Sequence, residues 1–191
     1  MPFSFKRKQV ATSSMHGVIS GCLFLFTSFS VFILWEQKDG RLASHSECEW
    51  SVVANVESLA WNPHSEHCFV ASLDDATVRG FDIRVAAFSS GAKAGSSFTI
   101  HAHEKATSTV SYNPLVPNIL ATGSYDKTVK IWDLTNNQPS CLVSRNPSAG
   151  FVYSVSFSGE NPFMLTIGGS SGTLKLWDTF SSAALSGRHR N

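Results

Sequence analysis

Paired cysteines are missing from this sequence. Its four cysteines, Cys22, Cys48, Cys68 and Cys141, lie far apart, and none belongs to a C-x-x-C pair. That excludes a disulfide-dense scaffold and a cysteine-based zinc site as organising features. Charge is also scarce, at 15% Asp, Glu, Lys and Arg against ~25% in an average soluble chain. The 15 basic residues nearly balance the 14 acidic ones, for a net charge of +1. A protein whose main tool is a basic nucleic-acid surface is thereby excluded. An open N-x-S/T sequon is lacking too, because Pro147 blocks the one at Asn146. No amphipathic helix is legible after residue 50, and no catalytic signature stands in its proper context. What the chain does have is 42% hydrophobic and 12% aromatic residues, too apolar a composition for disorder.

The apolar content is uneven. From Gln9 through Trp35 there is no Asp, Glu, Lys or Arg, and Val18–Trp35 reads VISGCLFLFTSFSVFILW. Lys6, Arg7 and Lys8 precede this run; Glu36, Lys38, Asp39 and Arg41 follow it. A run of ~18 apolar residues is long enough to cross a bilayer as a helix, and a basic flank before it resembles a signal anchor. Ser20, Gly21, Thr27, Ser28 and Ser30 dilute the run. A buried helix, a strand pair or a gene-model artefact are the competing readings. Residues 1–44 are therefore set apart from a repeat region at 45–180 and a tail at 181–191.

The repeat region is marked by recurring residues. Ser58-Leu59-Ala60-Trp61, Thr109-Val110-Ser111-Tyr112 and Ser154-Val155-Ser156-Phe157 each end on an aromatic. Moving 20 residues on from each aromatic lands on Phe81, Trp132 and Trp177, followed by Asp82, Asp133 and Asp178. Each is preceded by Thr (Thr77, Thr128, Thr173) and by a base (Arg79, Lys130, Lys175) at fixed offsets. Thr128–Asp133 alternates with period 2, as a strand with two distinct faces does. Gly123–Lys127 reads as the turn before it. Asn62-Pro63 and Asn113-Pro114 mark strand ends, because proline has no N–H for a ladder. Ser89–Ser97, rich in Ser, Gly and Ala, is read as a longer surface loop between the first two repeats.

This pattern resembles the WD40 family of β-propellers, whose repeats run ~40–45 residues. The fullest match is His103 with LATGSYDKTVKIWD at 120–133. The resemblance implies an all-β chain of about three blades, an incomplete propeller. It also implies a hydrogen-bonded network of His103, Thr122 or Ser124, Asp126 and Trp132, locking one hairpin. The first repeat keeps Asp75 but has Phe81 for the tryptophan; the third keeps Trp177 but has Ser171 for the aspartate. Asp82, Asp133 and Asp178 are the family's terminal aspartates. Over roughly 50–180 the wording is similar to the C-terminal part of one nuclear and nucleolar branch of the family. That branch implies a non-catalytic scaffold for ribosome biogenesis, with ribosome-assembly or chromatin proteins as partners and no cofactor. The apolar segment lies outside this resemblance. A membrane-anchored WD-repeat protein and a non-functional fragment are the alternatives.

Three motifs have chemical readings to weigh. Gly168–Gly172 fits G-x-S-x-G, a hydrolase nucleophile elbow with Ser170 at its centre, but that motif needs a helix after it. Here Thr173-Leu174-Lys175-Leu176-Trp177 alternates like a strand, so a hairpin turn is expected instead. His64 and His67 lack a third metal ligand and are read as a solvated loop. Asp75 is a turn residue, not half of a carboxylate pair with Asp74. The Arg188-His189-Arg190 tail is too short for a nucleic-acid site.

Overall fold

The computed structural model of the protein describes residues 10–12, 22–27, 30–35, 49–84, 96–135 and 138–180. The Ser89–Ser97 loop, for the most part, and the basic tail lie outside them. The chain divides into two compact units, Met1–Val56 with Ile83–Gly95 and Glu57–Asp82 with Ser96–Asn191.

In the first unit, β1 (Val10–Thr12), β2 (Cys22–Thr27), β3 (Ser30–Trp35) and β4 (Glu49–Ser51) form one sheet in that order. β2 and β3 run antiparallel, with Leu23 opposite Leu34 and Phe26 opposite Val31. Cys22–Thr27 and Ser30–Trp35, within the apolar run, thus form a strand pair, one of the competing readings. No helix among the described residues is long and apolar enough to cross a membrane. This sheet is one more than the repeat count gives. β1–β3 do not carry Thr, a base and Trp-Asp together at the fixed offsets by which the other sheets are recognised.

The second unit holds the three expected blades. β5 (Val56–Trp61), β6 (Cys68–Leu73), β7 (Thr77–Asp82) and β8 (Phe98–His101) form the first. β9 (Thr107–Tyr112), β10 (Ile119–Ser124), β11 (Val129–Asp133) and β12 (Ser140–Arg145) form the second. β13 (Val152–Phe157), β14 (Met164–Gly169) and β15 (Leu174–Asp178) form the third, which has three strands among the described residues. The strands from β6 to β8, β9 to β12 and β13 to β15 pair antiparallel.

The hairpin before each Trp-Asp or Phe-Asp strand turns in the same way. Ala76, Lys127 and Gly172 occupy equivalent positions, with φ of 69°, 72° and 72°. A short loop that ends on a left-handed residue fits the twist of the strands it joins. An oxygen just before that residue holds the turn. Asp75 Oδ1 accepts from the Thr77 N–H (3.0 Å) and hydroxyl (2.5 Å). Asp126 Oδ1 does the same for Thr128 (2.8 and 2.6 Å). In the third blade Ser171 and Thr173 exchange a hydroxyl bond of 2.8 Å.

Packing runs between sheet faces. Ala121, Val129 and Ile131 of the second blade meet Val152, Val155, Phe157, Leu165, Ile167 and Trp177 of the third. Val70 and Val78 of the first meet Val110, Tyr112, Leu120 and Trp132 of the second. Each fully buried Val or Leu contributes about 1.5–3 kcal/mol. Polar links accompany these faces: the Ser108 hydroxyl donates to Val152 O (2.5 Å), and Val155 N–H donates to Thr109 Oγ1 (3.3 Å).

The strand-ending asparagines do more than stop a strand. Asn113 Oδ1 accepts from the N–H groups of Leu115 and Val116, both at 3.0 Å, which closes a turn over Pro114. Its Nδ2 donates to Pro162 O at 2.7 Å, from the second blade to the third. His64 is exposed in its loop, as the solvated-loop reading has it, and its Nε2 also donates to Asn113 O at 3.0 Å, from the first blade to the second. His67 sits 3.3 Å from Glu66, and the described residues contain no group of three metal-ligating side chains.

Candidate functional site

The sequence singles out one polar cluster, in the second blade, and the structure brings it together. His103 follows β8 on the way into β9, Thr122 stands on β10, Asp126 is in the β10–β11 turn and Trp132 is on β11. His103 Nδ1 lies 2.9 Å from Asp126 Oδ2, and Nε2 lies 2.7 Å from Thr122 Oγ1. The Trp132 indole N–H donates to Thr122 Oγ1 at 3.0 Å.

The proton directions follow from the donor inventory and a neutral imidazole. A carboxylate can only accept, so His103 Nδ1 carries the hydrogen and donates to Asp126. An indole N–H can only donate, so Thr122 Oγ1 accepts from Trp132, and with the imidazole neutral and protonated at Nδ1 the Thr122 hydrogen goes to His103 Nε2. The chain reads Trp132 to Thr122 to His103 to Asp126, with a neutral imidazole in the middle. Ser124 is outside it. Its hydroxyl donates to Lys105 O at 3.1 Å and accepts from the Asp126 N–H at 3.0 Å.

The burial of the pair favours the same assignment. Burial lowers the His103 pKa from 6.5, against the opposing pull of Asp126, and the Lys130 charge adds to the lowering. Burial alone would raise Asp126, but the Thr128 hydroxyl and N–H outweigh it and set its pKa below 3.8. Since the folded His103 value is depressed, its contribution to stability is complete above 6.5 and is lost as pH falls below that value. Asp126 acts in a lower window, beginning as pH drops below 3.8. Urea midpoints measured above and below pH 6.5 should decline on the acid side, by at most about 1.4 kcal/mol per pH unit for one proton. His103→Asn should flatten that decline; an unchanged slope in the variant would show that another group is responsible.

The other marked residues are dispersed. Asp75 pairs with Arg79 Nη2 at 3.2 Å, and Phe81 stacks on Phe69 with centroids 5.0 Å apart. Asp133 Oδ1 accepts from the N–H (2.9 Å) and hydroxyl (2.5 Å) of Thr135 as the chain leaves β11. Asp178 Oδ1 accepts from the Phe180 N–H at 3.0 Å. Trp177 is buried in the core between the second and third blades, with Arg145 5.6 Å from its ring centroid. Asp82 ends β7 opposite Cys68. Ser170 Oγ accepts from the Phe151 N–H at 2.9 Å, and the G-x-S-x-G stretch runs strand, turn, strand. The helix that a nucleophile elbow needs is therefore replaced by β15.

One surface group escapes a reading of single repeats. Tyr125, from the β10–β11 turn, lies 6.1 Å from both Phe151 and Tyr153, ring edges toward faces. Phe151 and Tyr153 are exposed large aromatics, and Lys127 Nζ lies 5.8 Å from the Phe151 centroid. Burial, together with the Asp74 charge, raises the pKa of Glu57. The group joins a turn of the second repeat to the first strand of the third, so no single repeat displays it.

The model of the family described as WD domain, G-beta repeat, matches residues 95–133 and 140–178. An uncharacterized WD repeat-containing protein of Schizosaccharomyces pombe is 35% identical over 132 residues, covering 68% of this chain and 24% of that protein. Periodic tryptophan protein 1 of Saccharomyces cerevisiae is 30% identical over 189 residues, 93% of this chain and 31% of the relative. The periodic tryptophan protein 1 homolog of Drosophila melanogaster is 25% identical over 167 residues, 85% of this chain and 34% of the relative. The chain thus spans about a quarter to a third of the length of these relatives. At 93% coverage the S. cerevisiae alignment runs into the apolar segment, which the wording of the repeats alone leaves out.

Proposed function

Because this chain carries WD40 repeats, we propose that it is a non-catalytic interaction module that works by holding loops on rigid sheets. The observation that carries this reading is how its marked polar residues are used. His103, Thr122, Asp126 and Trp132 satisfy one another inside a hairpin and present no reactive group to solvent. Function then falls to the exposed loops, as it does when a rigid scaffold positions them. Phe151 and Tyr153, grouped with Tyr125, are the surface we assign to partner contact, since aromatic residues dominate interface energetics. Similarity to periodic tryptophan protein 1, and the nuclear and nucleolar branch that the repeats resemble, support a scaffold role in ribosome biogenesis. Its partners would be ribosome-assembly or chromatin proteins.

A tagged chain expressed in cells tests this. It should concentrate in the nucleolus and co-purify with ribosome-assembly or chromatin components, and Phe151→Ser with Tyr153→Ser should reduce that recovery about tenfold. Recovery only in the cytosol without such components would overturn the assignment. Undiminished recovery by the variant would remove the aromatic group as the contact.

A further inference from the structure

The second and third repeats share one register, which shows what replaces the polar cluster in the third. Thr128, Lys130 and Trp132 recur 45 residues later as Thr173, Lys175 and Trp177. The backbone agrees: Tyr125 N–H donates to Ala106 O, and its equivalent, Ser170 N–H, donates to Phe151 O. By the same step His103 becomes Ser148 and Asp126 becomes Ser171. The His103 side chain is buried and lies 2.9 Å from Asp126 Oδ2 and 3.0 Å from Thr128 Oγ1. Ser148 is exposed, in the loop between β12 and β13. Its backbone is left-handed, with φ of 57°, and its N–H donates to Asn146 Oδ1 at 2.8 Å. The residues that the register sets opposite Ser148 are donors. Ser171 and Thr173 are exposed and share a hydroxyl bond of 2.8 Å. Lys175 takes the place of Lys130, whose Nζ donates to Ala102 O, next to His103, at 2.7 Å. The turn from Ser170 to Thr173 has no carboxylate, where the other two repeats have Asp75 and Asp126.

Arg145 stands three residues before Ser148, in Arg145-Asn146-Pro147-Ser148, and it too is exposed. Protein kinases choose substrates by charge pattern, and one class reads a base at this spacing. We propose that Ser148 is a phosphorylation site for such a kinase, and that its phosphate closes the turn that histidine and aspartate close in the second repeat. In the transfer Ser148 Oγ attacks the γ-phosphorus of ATP. The serine O–P bond forms as the bond to ADP breaks, and the hydroxyl proton passes to the kinase's catalytic base. The product carries about −1.5 to −2 charge and three acceptor oxygens. A serine is too short to span the distance that an imidazole spans, and the phosphate restores the reach. The Ser171 and Thr173 hydroxyls can donate to it, and the Lys175 ammonium offsets its charge. In the first and second repeats a phosphate at this position would meet Asp75 or Asp126 and be repelled. The serines at 148 and 171 thus suit one another as the histidine and aspartate do.

Incubating the purified full chain with ATP and a calmodulin-dependent protein kinase, which takes serine three residues after a base, tests the site. Tandem mass spectrometry should place a phosphate on Ser148, and Arg145→Gln should lower its incorporation about tenfold. Urea unfolding tests the lock. Phosphorylation should raise the folding equilibrium constant at least about tenfold, and phosphatase treatment should reverse the gain. Ser171→Ala with Thr173→Ala should still accept the phosphate but lose most of that gain. Both positions are exposed, so the variant should fold, and comparison with its own unphosphorylated form cancels the loss of the bond between the two hydroxyls. Absence of phosphate from Ser148 would overturn the proposal. So would a chain phosphorylated there with unchanged or lower stability, or an equal gain in the double variant.

Discussion

Replacing Thr122 with valine is expected to lower the stability of the chain by about 2–6 kcal/mol, although the two side chains have nearly the same shape. Thr122 is fully buried, and its one hydroxyl makes two bonds. It accepts from Trp132 Nε1 at 3.0 Å and meets His103 Nε2 at 2.7 Å. Valine fills the space and satisfies neither. Two buried polar groups are left without a partner, each costing about 1–3 kcal/mol. No cavity forms, so the loss reports the hydrogen bonds alone. Urea unfolding followed by circular dichroism measures it directly.

A double-mutant cycle separates the network from simple crowding. In a Trp132→Phe background the indole N–H is already gone, so Thr122→Val leaves one orphan instead of two. The second substitution should then cost less than the first by more than about 0.5 kcal/mol, the usual scatter of independent sites. Ser124→Ala is the local control. Ser124 is equally buried, but its partners, Lys105 O and the Asp126 N–H, belong to residues that water reaches, so its removal should cost only about 1 kcal/mol. It should show no coupling to Trp132. Additive losses at Thr122 and Trp132 would mean that the shared hydroxyl does not link them.

The choice between Thr122 and Ser124 shows where sequence stops being sufficient. The two are separated by one residue on a strand, so a period of 2 puts both on the same face. Only the ladder distinguishes them. β10 slips register against β9 between Gly123 and Ser124, and such an irregularity re-aims a side chain. Ser124 is turned toward Lys105, and Thr122 keeps its place beside the indole. The blades themselves were legible because Thr, base, aromatic and Asp recur at fixed offsets. The amino-terminal sheet was ambiguous for the opposite reason. Cys22–Thr27 and Ser30–Trp35 are apolar on nearly every residue, and a run without alternation does not tell a strand from a helix. His64 bonding Asn113, 49 residues away, and the group of Tyr125, Phe151 and Tyr153 arise between repeats. Local pattern carries no signal for either.

The third repeat lacks the aspartate and the histidine, and its lock is backbone against backbone. There, Ser170 N–H donates to Phe151 O at 2.9 Å and Ser171 N–H to Ala149 O at 3.0 Å. This close approach needs Gly169: a Cβ at that position would lie 2.4 Å from Ala149 O and 2.6 Å from Phe151 O. Both obstacles are main-chain oxygens, which cannot rotate aside as a side chain can. Gly169→Ala is therefore expected to cost about 3 kcal/mol, at the upper end for overpacking. Gly172→Ala, in the same turn, is the comparison. Nothing lies within 4 Å of its Cβ position, and only its φ of +72° opposes a side chain, a penalty of about 1–2 kcal/mol. The equivalent Ala76 and Lys127 show that side chains are borne at this φ. Urea midpoints of the two variants should rank Gly169→Ala as clearly the less stable. Equal losses would mean that the turn conformation, and not the close approach of the two backbones, holds the third repeat together.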